Sequence, residues 1–594
     1  MKLANLSRYR FIGYLFTFLG VMIFIQMVRI QNNASAKALS ETAQQNYDFE
    51  KRRIVPERGN IYDRWGHLLA GNKEVYEVGV DLRYAVDNAE AIAAACRDIL
   101  GLDYEQVLST IKLTYEPGKR EYAVLVDFVP GDRIDELSKM KENYKLLDPP
   151  AKGKTNPSLS GLLWVPHLQR SYPENSLASN ILGFFSFRDR DNGNGFFGVE
   201  EKYNSILAGK SIDIVVPKDP YLTKELPAVP PGSSLVLTID REIQSNVEAI
   251  IDKHVKNSKS ASGTIIVMDP KTGDILAMAT TPRLNPNEYW NYEKEFPKPT
   301  PYNRAVGQTY EPGSVFKVLT MAAALDSGAV TPLTPFLDTG SIDIGGITIY
   351  NWDREAWGPQ NMTTCMQHSL NVCLTWIAIQ VGPTRFYEYM KAFGIDRKTN
   401  IDLAGEVVWP LALPGDSTWY PVNLGTNSFG QGVAATPIQM TAAVGALANG
   451  GKMMAPHILQ SVIENGRQYN NSTQQIGQPI SAKTARTISD MLAISLEEEA
   501  STALVPGYRV AGKTGTGEIP GPYGYIDGLT NASFVGWGPL PDPRFIVYIW
   551  LEKPRSSIWG SIVAAPIFSE VVQSLVVSLN IPPDKKLLEA DLLQ

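Results

Sequence analysis

A nearly unbroken apolar run over residues 11–28 constrains this chain more than any other feature. In hydrocarbon every backbone N–H and C=O must be satisfied within the segment, so such a run can cross a membrane only as a helix. Its length of about 18 residues just covers the apolar core of a bilayer. Lys2, Arg8 and Arg10 precede it and Arg29 alone follows closely. That bias places the N-terminus in the cytoplasm and the bulk of the chain outside, as a single-pass membrane protein. A cleaved signal peptide is the competing reading, with Ala34-Ser35-Ala36 as its small-residue site. The run exceeds a usual signal core, which favours an anchor that is kept.

Beyond that segment, 594 residues leave room for two or more domains, and a charged fraction of 20% with 44% apolar residues excludes disordered and collagen-like classes. The net charge of −7 argues against a nucleic-acid partner, which would need a basic face. Only Cys96, Cys365 and Cys373 are present, with no paired C-x-x-C and no H-E-x-x-H, so neither a disulfide scaffold nor a structural zinc site is expected. Cys365 and Cys373 are expected on one helix, two turns apart and too far to bridge within it.

The expected organisation runs from a cytoplasmic tail (1–10) and an anchor (11–30) to a polar juxtamembrane stalk (31–53) ending in Lys51-Arg52-Arg53. Residues 54–231 mix strand-like runs at 75–80 and 122–129 with helical runs at 89–100 and 133–144, an α+β module without a catalytic constellation of its own. Paired prolines within 227–232 mark a boundary. A strand over 234–240 leading into a helix from Arg241 then opens a second domain, 232–584. Residues 263–268 and 274–280 alternate around Asp269-Pro-Lys-Thr-Gly273 and predict a hairpin. Strands are expected again at 508–511, 532–536 and 545–551, before a closing helix with Pro566 in its first turn. Strands at both ends of a helical block predict an α/β domain whose sheet gathers distant segments. The tail, 585–594, is expected to fray.

Three short motifs follow one another in that second domain: Ser314-Val-Phe-Lys317, Ser369-Leu-Asn371 and Lys513-Thr-Gly-Thr516. Each alone is weak, since S-x-x-K arises by chance about once or twice in a chain of this size. A second copy, Ser138-Lys-Met-Lys141, lies in a charge-rich helix and reads as a solvated face. Ser314 instead follows the turn Tyr310-Glu-Pro-Gly313 and enters an apolar helix, where residues three apart share a face and the Lys317 amine comes within reach of the Ser314 hydroxyl. The helix N-terminus favours negative charge at that serine. Lys271-Thr-Gly273 repeats the third motif but sits at a hairpin tip. The copy at Lys513 continues the expected strand, and its small residues would let a peptide lie along the strand edge. Residues 507–514 also match the phosphate-loop pattern G-x-x-x-x-G-K-T, yet Gly515, Gly517, Pro520, Gly521, Pro522 and Gly524 forbid the helix that such a loop requires. His368 adjoins Ser369, but neighbours on a helix point apart, so a satisfied or surface histidine reads better than a triad member.

With these motifs in place the chain resembles the class B penicillin-binding proteins, and the likeness extends over nearly its whole length. Arg58-Gly-Asn-Ile-Tyr-Asp63-Arg64 resembles that family's first pedestal motif, and Arg170-Ser-Tyr172-Pro173 and Gly195-Phe-Phe-Gly198-Val-Glu200 resemble later ones. Ser428-Phe-Gly430-Gln431-Gly432 resembles a segment behind the site. Tyr310-Glu-Pro-Gly-Ser314 and Ile562-Val-Ala-Ala-Pro566 look more like the division branch than the elongation branch. Val315 departs from a common threonine, and Gly517 and Asn400 are further departures, none of which removes a reacting group.

The resemblance implies an α/β penicillin-binding transpeptidase domain, an antiparallel sheet flanked by helices, preceded by an elongated α+β pedestal and one transmembrane helix. It implies a peptidoglycan D,D-transpeptidase acting on D-alanyl-D-alanine stem peptides and an acceptor amine, and trapped by β-lactam antibiotics. Ser314 would be the nucleophile, Lys317 its base, Ser369 a proton relay and Asn371 an orienting group. Lys513, Thr514, Gly515 and Thr516 would hold the terminal carboxylate, with the N–H groups of Ser314 and Thr516 as oxyanion hole. Neither a metal nor an organic cofactor is needed. A membrane-embedded glycan polymerase and division or elongation machinery are the implied partners. A tethered serine β-lactamase or a non-enzymatic scaffold for the polymerase remain alternatives.

Overall fold

The computed structural model describes residues 3–31, 33, 37, 49–117, 119–148, 156–189, 192–217, 227–499 and 501–584. Most of the expected stalk and the whole tail 585–594 lie outside the described residues. The chain divides into two compact units, Met1–Pro56 with Gly209–Pro231, and Glu57–Ala208 with Gly232–Gln594. In the first, the helix Leu3–Gln31 includes the apolar span Phe11–Arg29, none of which is buried. Such a helix has no protein core to enter, which fits a membrane anchor. The same unit contains the antiparallel pair Phe49–Ile54 and Ile212–Pro217.

The second unit is built around a five-stranded antiparallel sheet. Its order is Ile275–Thr280, Ser262–Met268, Phe545–Glu552, Gly524–Gly538, Ala511–Gly521, so strands distant in sequence are neighbours, as the pattern predicts. Every residue of Ser262–Met268 is buried. Side chains still alternate: Ile266, Met268, Tyr548 and Trp550 face one core, while Ile265, Val267, Val547 and Ile549 face another shared with Val571 and Val572 of the helix Ala565–Ser578. A sheet covered on both faces hides the apolar–polar contrast that would mark a half-exposed strand. The segment Gly560–Ser578 is apolar enough to span a membrane, but it is 61% buried and serves as core.

The second unit resumes at Gly232, and it also takes in Glu57–Ala208. Strand Ser234–Leu237 pairs in parallel with Ile61–Tyr62 and antiparallel with Leu459–Glu464, in a seven-stranded sheet that also contains Leu68–Asp81, Tyr122–Pro130 and Leu162–Ser171. Segments assigned by sequence to separate domains thus share one sheet. Helices Ala89–Leu100 and Gly131–Lys145 contribute to the core on one face of its last strands through Ile92, Cys96, Ile134 and Leu137. The three pedestal motifs converge on one fully buried carboxylate: Arg58 Nε donates to Glu200 Oε2 at 2.8 Å, Arg170 Nε to Oε1 at 2.8 Å, and the Tyr172 hydroxyl to Oε1 at 3.0 Å. Burial alone would raise the Glu200 carboxyl, but Arg170 and Arg58 hold it below its ordinary value.

The cysteine expectation is overturned. Cys365 lies in the helix Met362–Gln367 and Cys373 in a second helix, Asn371–Val381, and the two form a disulfide with their Cα atoms 6.2 Å apart. What breaks the presumed single helix is Ser369, whose φ of 55° ends the first helix in the left-handed region. The chain then turns back, and Leu370 N–H donates to Cys365 C=O at 3.0 Å. Closing so short a loop restricts the unfolded chain, so Cys373→Ala is expected to lower stability by roughly 2–3 kcal/mol. Urea unfolding of the oxidised wild type and the variant checks this; equal midpoints and slopes would contradict it.

Candidate active site

Gly313–Phe316 forms one 3-10 turn that runs directly into the helix Lys317–Asp326. In a 3-10 turn residues i and i+3 eclipse, so Ser314 and Lys317 are stacked on one side more closely than α-helical spacing alone would put them. Gly313 has a φ of 60°, and a Cβ there would lie 2.8 Å from Thr516 O and 2.9 Å from Gly517 Cα. That missing side chain is what lets the serine turn press against the strand Ala511–Gly521.

Lys317 is wholly buried, whereas Ser314 is half-buried at the floor of a cleft of about 810 Å³. Lys317 Nζ donates to Ser369 C=O at 2.6 Å and Asn371 Oδ1 at 2.8 Å, and lies 3.1 Å from Ser369 Oγ. The ring of Phe429, from the segment behind the site, is 6.0 Å away. Among the described residues no hydrogen bond joins the amine to the Ser314 hydroxyl, so the reach expected from spacing is not yet a bond. Such contacts are commonly loose before substrate arrives. Burial pushes the Lys317 amine well below its ordinary value of 10.5, and the nearby cation of Lys513 pushes it further. A neutral amine has two N–H groups for Ser369 C=O and Asn371 Oδ1 and keeps a lone pair that can accept a proton. The arrangement thus suits a base linked to a second hydroxyl.

The third motif lies inside Ala511–Gly521, which begins at Ala511 rather than at 508 and continues through the glycine-rich stretch to Gly521. As the edge strand it tolerates Pro520. Lys513, Thr514 and Thr516 line the cleft with Ser314, Ser369 and Asn371. Lys513 Nζ lies 3.4 Å from both Thr514 oxygens, and Thr516 Oγ1 accepts from Gly560 N–H at 3.1 Å. Gly515 faces inward, where a Cβ would sit 2.3 Å from Ser533 Oγ and 2.9 Å from Val315 Cγ1. Its smallness serves close packing behind the serine turn, so any hold on a ligand falls to its backbone.

Sequence reasoning missed the segment that supports the second motif. Asn371 Nδ2 donates to Tyr350 C=O at 3.2 Å, Trp352 Nε1 to His368 C=O at 3.1 Å, and Trp357 stacks on the His368 ring with centroids 4.2 Å apart. His368 is therefore a packed residue. Across the rim, Trp352 meets Trp559 edge to face at 5.5 Å. Scattered aromatics in loops carry no periodicity, so nothing in the sequence groups them. Of the decoys, Lys271 pairs with Asp542 beside the hairpin tip, whereas Lys141 is not on a fully solvated face: it is half-buried, donates to Leu162 C=O and lies over the Trp164 ring.

Comparison with known proteins agrees with this geometry. Residues 263–573 match the penicillin binding protein transpeptidase domain, and residues 53–220 match the penicillin-binding protein dimerisation domain. Stage V sporulation protein D of Bacillus subtilis (strain 168) is 32% identical over 552 residues, covering 90% of this chain and 80% of that protein. Peptidoglycan D,D-transpeptidase FtsI of Escherichia coli (strain K12) is 26% identical over 551 residues, covering 90% and 85%. The fold matches a crystal structure of penicillin binding protein 2X from Streptococcus thermophilus with a TM-score of 0.74 at 21% identity, over 91% of this chain and 81% of that one. With the catalytic-domain match spanning just over half of its residues behind a dimerisation-domain match, the chain belongs to the class B penicillin-binding proteins.

Proposed function

We propose that the protein is a membrane-anchored peptidoglycan D,D-transpeptidase that cross-links stem peptides during septal cell-wall synthesis. Ser314 Oγ attacks the carbonyl of the penultimate D-alanine while its proton passes to Lys317 Nζ. The peptide C–N bond breaks and the departing D-alanine amine takes that proton by way of Ser369. An acceptor amine then attacks the acyl-serine, returns the proton to Ser314 Oγ and leaves a cross-link. Asn371 orients Lys317, and Lys513, Thr514 and Thr516 hold the terminal carboxylate. Backbone N–H groups of Ser314 and Thr516 stabilise the oxyanion, which contributes on the order of 10²–10³ in rate. The observation that carries this reading is the buried Lys317 amine, bonded to Ser369 and Asn371 one helical step from Ser314.

The same proposal places the N-terminus in the cytoplasm, residues 54–231 as a non-catalytic pedestal and 232–584 as the catalytic domain. A membrane-embedded glycan polymerase and the division machinery are its proposed partners, on the strength of the family likeness. Labelling with a fluorescent penicillin tests the chemistry. A long-lived covalent band supports it, rapid turnover of the drug would point to a β-lactamase, and no labelling of folded protein would point to a scaffold.

A further inference from the structure

The hairpin of Ala511–Gly521 and Gly524–Gly538 forms a wall of the cleft, and Glu518, Ile526, Gly528 and Thr530 line it. Both arms are tied to residues around Ser314. On one arm Glu518 Oε2 accepts from Gln431 Nε2 at 2.8 Å. On the other the Tyr525 hydroxyl donates to Glu311 Oε2 at 2.9 Å. Glu311 stands three residues before Ser314. Gln431 directly follows Gly430, whose C=O accepts from Gly313 N–H at 3.0 Å.

These contacts close a ring around the serine turn with little slack. A Cβ on Gly430 would lie 2.2 Å from Gly313 O, and one on Gly517 would lie 2.5 Å from Glu311 O. Burial raises the Glu311 carboxyl above its ordinary range, the Tyr525 bond pulls against that rise, and Glu518 adds to it. A carboxylate kept partly out of water beside a reaction centre needs its donors, and the Tyr525 hydroxyl is one.

We propose that the Glu311–Tyr525 hydrogen bond is a latch through which the cleft-lining hairpin, engaged by a stem peptide, holds the Ser314 turn in its attacking position. Glu311 and Tyr525 are positioning residues for acyl transfer, and the inference rests on Ser314 being the acylated residue. The tip is exposed, and Tyr525→Phe removes only a hydroxyl, so the fold is left intact. Stopped-flow acylation of the full chain by a penicillin separates the limiting rate from the half-saturation concentration. Tyr525→Phe is expected to lower the limiting rate about tenfold, the scale of one hydrogen bond to a charged group, with half-saturation and Tm unchanged. Glu311→Gln keeps an oxygen for the phenol and stays close to wild type, while Glu311→Ala falls as Tyr525→Phe does. A wild-type limiting rate in Tyr525→Phe overturns the latch, as does an effect confined to half-saturation, which would make Tyr525 a ligand contact. Should Glu311→Ala fail to fold, the Tyr525→Phe and Glu311→Gln pair still decides. Absence of acylation in the wild type would instead overturn the reading of Ser314.

Discussion

Ser314→Ala is expected to abolish covalent acylation by penicillin while leaving the protein folded. In units where nucleophile and base act together, removing the nucleophile costs on the order of 10⁶ in rate. The neighbouring hydroxyls are engaged elsewhere: Ser369 Oγ is held at 3.1 Å from Lys317 Nζ, and Thr516 Oγ1 accepts from Gly560 N–H. The side chain of Ser314 is small and half-buried, so its loss should change stability by less than about 0.5 kcal/mol. Intact-protein mass after drug treatment reads the first effect and thermal unfolding the second. An adduct of unchanged stoichiometry on the variant would show that another residue is acylated.

Removing Lys317 is expected to be nearly as severe, at least 10³-fold in acylation, because positioned proton transfer contributes about 10²–10⁴ and Ser369 loses its anchor as well. The pH dependence follows from the direction of the shift. Lys317 must be neutral to accept the Ser314 proton, and the neutral fraction falls as pH falls. Burial and Lys513 lower its pKa well below 10.5, so the acidic limb of the acylation profile lies well below that value. In Lys513→Gln the second cation is gone, the pKa of Lys317 rises, and the limb moves to higher pH. Acylation rates over a pH series for wild type and Lys513→Gln test this. A limb that stays in place, or moves to lower pH, would mean that Lys317 is not the base.

What the sequence made legible was what spacing within one element determines. Ser314 and Lys317 fall on one face because a turn ends at Gly313 and an apolar helix follows, and the hairpin around Asp269–Gly273 declares itself by its turn residues. The second motif was legible in order but not in shape. Ser369 takes a left-handed conformation that a serine rarely adopts, and only the surrounding packing dictates it; the disulfide follows from that turn and was missed with it. The glycine and proline run after Lys513 was legible only as forbidding a helix, whereas the structure carries the strand on to Gly521 at a sheet edge where neither residue is prohibited. The pairing of Ser234–Leu237 was not legible, because nothing local reveals that its partners lie some 170 residues earlier and 220 later. Contacts such as Glu311 with Tyr525, or Trp352 with Trp559, join segments far apart in sequence, and no periodicity records them.

Incubating the full-length protein with uncross-linked peptidoglycan strands bearing pentapeptide stems, and analysing the products, tests the central claim most directly. The account predicts one D-alanine released for each cross-linked dimer formed, both lost in Ser314→Ala. D-Alanine released with only trimmed monomers, or no release by a protein that hydrolyses penicillin rapidly, would contradict it.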